Sequence, residues 1–317
     1  MLPAKILQIG DSNYPNLLKH ITKPPEKLFY RGNLDHLTKT CISIVGTRKY
    51  SAYGEEMTQK IIRDLSCLDI CIVSGLALGI DSIAHRTALE CGLPTIAVLG
   101  NGIDYIYPAE NLGLALEIEK NGLILSEYPG KFEALRTNFP QRNRIVSGLS
   151  IGTIMIEAPE KSGALITAKY ALEQGREIFA VPGDIDRENS LGTLRLLQKG
   201  AAYAISSGDD VLEVLKQQPH LFRNLAKKNY LTFQRTEMER QARLKNKDQL
   251  KEKLKHSYNL SSSQEKIISQ LPKHSGLDME ALCTKANLPI SELLQGISVL
   301  EIKQLITTKS GKYYRNC

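Results

Sequence analysis

The chain has 317 residues, 42% of them hydrophobic and 24% charged, a balance that excludes a disordered chain and supplies apolar material for two compact units or one large one with an appendage. No stretch approaches the roughly 20 apolar residues of a membrane span, and the start lacks a long apolar run with a small-residue cleavage site, so a cytoplasmic protein is expected. The net charge of +7 is concentrated: Leu221 to Leu260 carries 11 Lys or Arg against 4 Asp or Glu, leaving the remainder neutral, and overall charge alone therefore does not identify a polyanionic ligand.

Residues 1–38 contain Tyr14-Pro15 and Pro24-Pro25, punctuation too dense for an independent domain of that length, and are read as a lead-in packed on the core. From 39 to 218, short apolar runs alternate with segments of helical period. The runs begin at Cys41, Ile70, Thr95, Leu123, Thr153, Glu177 and Ala202; the helical stretches include Glu55 to Leu68, Ile80 to Cys91, Asn138 to Leu149, Leu165 to Gln174 and Leu191 to Lys199. Continuous apolar runs indicate strands buried on both faces, and repeated βα units indicate a doubly wound, largely parallel sheet. The expected core is an α/β, extended Rossmann-like fold.

Residues 219–259 are polar and basic and read as a linker or exposed helix. Residues 260–317 regain pattern, with three short helical segments followed by two strands around Ser310-Gly311. That order predicts a small winged-helix domain, and its residues leave open whether it touches DNA or protein.

In an open parallel sheet, ligands bind beyond the carboxyl ends of the strands. The turns expected there are rich in small residues: Gly46-Thr47-Arg48, Ser74-Gly75 to Gly79, Gly100-Asn101-Gly102, Glu160-Lys161-Ser162-Gly163 and Pro182-Gly183. Glycine lets the backbone approach an anion closely, and helix N-termini offer free N–H groups with partial positive charge. One such turn is weak evidence, because glycine also serves plain tight turns; five on one edge, two carrying Arg48 and Lys161, point to phosphate. The segment Gly46-Thr-Arg-Lys-Tyr-Ser lacks the G-x-G-x-x-G of dinucleotide sites, and Lys161-Ser162 lacks the glycine pattern of a Walker A loop, which disfavours NAD and ATP chemistry.

Asn138-Phe139-Pro140-Gln141-Arg142-Asn143-Arg144 places cations, an amide and an aromatic ring at a helix start. Arginine and asparagine can bond phosphate oxygens or base edges while a phenylalanine face stacks a base. The same residues also suit a charged helix face in which Phe139 fills the core and the arginines pair with Glu127 or Glu157. Asp81 and His85, four apart, could form an acid/base pair, but a structural hydrogen bond at the helix start is the expectation. The six cysteines include no C-x-x-C pair and read as reduced thiols rather than zinc ligands, so no metal and no cofactor is expected.

Together VGTRKYSAYG, VSGLALGIDSIAH, VLGNGIDYIYPAEN, LSEYP, NFPQRNRIVSGLS, EAPEKSGALITAKYALEQGREIFAVPG and GTLRLLQKGA resemble the DNA processing protein A family. The resemblance spans about residues 24–216. It implies an extended Rossmann fold, a homodimer, non-catalytic and sequence-tolerant binding of single-stranded DNA, and transfer of incoming strands to the RecA recombinase in natural transformation. Carried over position by position, it implies DNA contacts at Gly46, Thr47 and Arg48, at Phe139, Arg142, Asn143 and Arg144, and at Lys161, Ser162 and Gly163, with Lys169 as a further addition.

Two rival readings differ in class. A phosphoribohydrolase-type enzyme on a related core would need a P-G-G-x-G-T turn, where this chain reads Pro182-Gly183-Asp184-Ile185-Asp186. An adaptor would use the C-terminal module to recruit a partner and the core only to dimerise.

Overall fold

The computed structural model describes residues 3–217, 260–271, 276–303, 305–309 and 312–315. The chain divides into two compact units, Met1–Phe233 and Gln234–Cys317. The basic linker expected at 219–259 lies outside the described residues.

Nine strands build the sheet of the first unit: β1 (Lys5–Gln8), β2 (Lys27–Gly32), β3 (Thr40–Val45), β4 (Ile70–Ser74), β5 (Thr95–Gly102), β6 (Leu123–Tyr128), β7 (Gly152–Met155), β8 (Glu177–Ala180) and β9 (Tyr203–Ala204). Their spatial order is β1-β2-β6-β5-β4-β3-β7-β8-β9. From β3 to β9 all pairings are parallel; β2 pairs antiparallel with β6 and with β1. The doubly wound, largely parallel sheet read from the sequence is the one observed.

The helices are α1 (Asn16–Lys19), α2 (Ala52–Leu65), α3 (Ile80–Glu90), α4 (Leu112–Asn121), α5 (Asn138–Gly148), α6 (Ala164–Glu173), α7 (Leu191–Gln198) and α8 (Gly208–Lys216). Central strands have no polar face because both sides are covered. On one side, Ile61 and Ile62 of α2, Ile83 of α3 and Val211 of α8 pack on Ile42, Ile72 and Ile154, and α4 continues that layer with Leu114 and Ile118 on Ala97 and Ile124. On the other, Ile145 and Val146 of α5 and Ala168 of α6 pack on Val45, Val73, Val98 and Met155. Fully burying each Ile or Leu contributes roughly 1.5–3 kcal/mol, which makes the two apolar layers the main source of stability.

In residues 3–38, Leu7, Tyr14, Leu18 and Leu28 are buried in the α5 layer. This segment does more than pack, since β1 and β2 extend the sheet beyond β6. Residue 39 is therefore not a domain boundary.

Strands β3 to β6 are laid down from the centre in one direction and β7 to β9 in the other. The order reverses between β3 and β7, and at such a switch point the turns leaving the two strands diverge and open a crevice beyond their carboxyl ends.

The second unit holds helices Ser262–Gln270, Met279–Ala286 and Ile290–Ile302, then the antiparallel strands Ile306–Lys309 and Lys312–Arg315. Ser261 and Asp278 cap the first two helices through Gln264 N and Ala281 N. Ile267, Leu282, Leu293 and Leu300 form its own small core. This is the element order expected of a winged helix; the turn at Ser310-Gly311 lies outside the described residues. Among the described residues no helix is long and apolar enough to cross a membrane.

Candidate nucleic-acid interface

At the switch point lies a cleft of about 740 Å³. Its walls are the turns leaving β3 and β7, the start of α5, and residues Glu188 and Leu191 opposite.

The β3 turn is wedged in place. Thr47 N donates to the Glu157 carbonyl at 2.8 Å, and Ile80 N donates to the Thr47 carbonyl at 3.2 Å. A side chain at Gly46 would run into Ile80 Cγ1 at 2.6 Å, and Gly79, at φ +83°, sits against the Thr47 carbonyl and the Arg48 backbone, so both positions demand glycine. Glu157, 2% exposed, accepts from Ser51 Oγ at 2.5 Å and Ser51 N at 2.9 Å, while Asn189 Nδ2 donates to the Lys49 carbonyl at 2.8 Å. The backbone of Arg48 and Lys49 is thus tied from both sides while their side chains remain exposed at the cleft.

The β7 turn is equally tight. Ser162 N donates to the Pro159 carbonyl at 2.9 Å, and Ser162 Oγ accepts from Ala164 N at 3.2 Å, leaving the hydroxyl proton to donate elsewhere. Gly163 is exposed, and a Cβ there would meet nothing within 4 Å. This turn opens α6, whose N-terminus carries partial positive charge and free N–H groups. Glu160 forms an ion pair with Arg195; among the described residues Arg48, Lys49 and Lys161 enter none. Three uncompensated cations and a helix N-terminus on one rim suit a run of phosphates.

The helix that opens at Asn138 contributes three kinds of residue. Phe139 is half-buried, lies over Gly100, and has the Arg48 guanidinium 5.7 Å and the Arg142 guanidinium 6.0 Å from its ring centre, within cation–π range. Arg142 is buried at 5% exposure; its Nη1 donates to the carbonyls of Val98 and of Gly75, the latter at 2.5 Å, and its Nε to Asn143 Oδ1 at 3.1 Å. Burial lowers its pKa to about 10, opposed by the Asp81 carboxylate, so it stays charged at neutral pH. Arg142 is the floor of the cleft. Asn143 donates to the Gly163 carbonyl at 3.3 Å and so couples α5 to the Lys161 turn.

Of the positions singled out in the sequence, Gly46, Thr47, Arg48, Phe139, Arg142, Asn143, Lys161, Ser162 and Gly163 converge on this cleft. Arg144 and Lys169 do not line it. Arg144 Nη2 donates to Glu127 Oε1 at 2.6 Å, one of the two structural partners considered for it, and Lys169, 75% exposed, stands 3.8 Å from Glu173. The other partner, Glu157, binds Ser51 instead of an arginine.

Asp81 and His85 do not bond each other, a correction to the expected hydrogen bond. Asp81 Oδ2 accepts from Gly75 N at 3.1 Å and Ala77 N at 3.4 Å, closing the β4 turn; burial raises its pKa while Arg142 pulls it back. His85 Nδ1 meets Thr95 Oγ1 at 2.7 Å, and burial together with Arg142 pushes its pKa down to about 3. It is a buried core residue held in the neutral form.

Sequence reasoning missed Lys49, which follows Arg48 directly, and Tyr107, whose ring centre is 5.8 Å from that of Phe139. It also missed the tethering role of Glu157. The first two had a signal, a cation and a ring beside residues already chosen; the third had none.

The comparisons with known proteins cover the unit that carries this cleft. The family model described as DNA recombination-mediator protein A matches residues 5–216. The DNA processing protein DprA of Bacillus subtilis (strain 168) is 43% identical over 213 residues, 67% of this chain and 71% of the relative. Protein Smf of Escherichia coli (strain K12) is 42% identical over 204 residues, 64% of this chain but only 54% of the relative. Among solved structures, DNA processing protein A from Streptococcus pneumoniae superposes with a TM-score of 0.64 at 44% identity, covering 66% of this chain and 73% of that one. DNA processing protein A from Helicobacter pylori, described for its single-stranded DNA binding mode, gives 0.62 at 33% identity, covering 68% and 96%.

Proposed function

The chain belongs to the DNA recombination-mediator protein A family, and from that premise we propose that it binds single-stranded DNA across the cleft at the β3/β7 switch point, without regard to sequence and without catalysing a reaction. The observation that carries this reading is the grouping of three cations that form no ion pair among the described residues, Arg48, Lys49 and Lys161, with the half-buried ring of Phe139 at one cleft. Phosphates rest on Arg48, Lys161, the Ser162 hydroxyl and the α6 N-terminus; a base lies on Phe139. Such contacts read charge and π-surface, which every nucleotide offers, and the arrangement needs no cofactor or metal.

Within the same proposal, the protein works in the cytoplasm as a homodimer, protects incoming strands and loads them onto the RecA recombinase during natural transformation. The single-stranded DNA binding mode described for the Helicobacter pylori relative supports the strand-binding part of the proposal.

Fluorescence anisotropy with the full chain tests the binding claim. Oligothymidine and a mixed-sequence single strand of equal length are expected to bind within about threefold of each other, and a matching duplex at least about tenfold more weakly. Equal affinity for duplex, or release of free base from a mononucleotide, would refute it.

A further inference from the structure

The deepest unassigned feature of the surface is a second group of rings on the two loops beside the cleft. Tyr105 and Tyr107, which follow β5, are 42% and 39% exposed, and Phe132, which follows β6, is 42% exposed. Isolated exposed rings need no explanation. These are not isolated: Tyr107 adjoins Phe139 at 5.8 Å, and Phe132 stacks on Tyr128 with centroids 4.9 Å apart and planes 12° apart.

The two loops are locked together. Gly102 N donates to the Phe132 carbonyl and Asp104 N to the Gly130 carbonyl, each at 2.8 Å, and Ile103 N donates to the Tyr128 carbonyl at 3.1 Å. Gly102 lies so close under the second loop that any side chain there would strike its backbone. The Tyr128 hydroxyl donates to Gln141 Oε1 at 3.4 Å, which sets the stacked pair beside the opening turns of α5, the helix that carries Phe139. Lys131 and Arg136 on the second loop are exposed and, among the described residues, form no ion pair.

Resting on the reading that single-stranded DNA occupies the cleft, we propose that Tyr107 and the Tyr128–Phe132 stack are further base-stacking stations on the same strand, beyond Phe139. The occupant follows from the chemistry: rigid rings preorganised at the surface, with free cations beside them, match alternating bases and phosphates, and the row is continuous with the cleft through the Tyr107–Phe139 contact. A strand held at Lys161 and Arg48 passes Phe139, then Tyr107, and reaches the Phe132 face. The loops on which these rings sit leave the neighbouring strands β5 and β6, so the stations follow the strand-end edge of the sheet.

The test is anisotropy on the full chain with labelled oligothymidines of about 4 and about 20 nucleotides, comparing wild type, Phe132→Ala and Phe132→Tyr. Phe132→Ala is expected to lose roughly tenfold in affinity for the long strand and less than about twofold for the short one, while Phe132→Tyr, which keeps the ring, behaves as wild type. Unchanged affinity for the long strand overturns the proposal, as does equal loss on both lengths. The underlying reading is checked separately with Arg48→Glu and Lys161→Glu in the same series: if neither length responds to them, the cleft assignment fails, whatever the ring variants do.

Discussion

Replacing Arg48 and Lys161 together by glutamate lowers the affinity for single-stranded DNA by at least about 100-fold near 0.1 M salt, for all sequences alike. Both side chains are exposed and enter no ion pair among the described residues, so reversing them breaks no ion pair and gives up only the exposed cation–π contact of Arg48 with Phe139. The fold should survive with an unchanged melting temperature. The lost affinity reflects two phosphates that no longer displace counterions and now face like charge. On a single strand each such contact contributes about 0.7 to the slope of log affinity against log salt, so the variant's slope should be shallower by about 1.4. Anisotropy titrations over a salt series read both quantities. An unchanged slope would place the DNA elsewhere.

Arg142→Met is expected to act by a different route, destabilising the first unit by about 3–5 kcal/mol and losing DNA binding as a consequence. The guanidinium is buried against the Gly75 and Val98 carbonyls and faces Asp81. Methionine fills similar volume but leaves two buried carbonyls without a donor and a buried carboxylate without its countercharge. The loss should grow with pH. Burial already raises the Asp81 pKa and Arg142 opposes it, so removing the arginine raises it further. Folding then favours the protonated acid, and stability falls as pH climbs from the unfolded carboxylate value through the raised folded one. Urea unfolding at about pH 5 and about pH 8 measures this, and a loss independent of pH would show that Asp81 does not depend on Arg142.

Much of the fold was legible because the central strands are buried on both sides and therefore read as unbroken apolar runs. The elements that escaped have weaker reasons to look regular. Strand β1 buries one residue of four, and β2 follows a Pro-Pro pair that reads as punctuation even though Lys27–Gly32 makes a full ladder with β6. Helix α8 announces itself only through the Ser207–Asp210 capping box, a short signal beyond the last expected strand.

The cleft was legible through its glycines, since a turn that must pass under Ile80 or beside Arg48 admits no side chain. What could not be read was which polar groups are consumed inside the protein. Arg142 and Arg144 stand two apart in one segment, yet one is spent on buried carbonyls and the other on Glu127, because α5 turns them toward different neighbours. Glu157 looked like a partner for an arginine and instead ties down Ser51. Such assignments depend on where separate strands end in space, which spacing along one segment does not encode.

The central claim, that a single strand lies across the β3/β7 switch point over Phe139, is tested most directly by photocrosslinking. An oligonucleotide carrying 5-iododeoxyuridine, which couples to nearby aromatic rings, is bound to the full chain, irradiated, and the modified peptides are mapped by mass spectrometry. The predicted result is crosslinking at Phe139 and its neighbour Tyr107, suppressed by Arg48→Glu with Lys161→Glu. Crosslinks confined to residues 218–317, or a pattern at Phe139 untouched by the charge reversals, would contradict it.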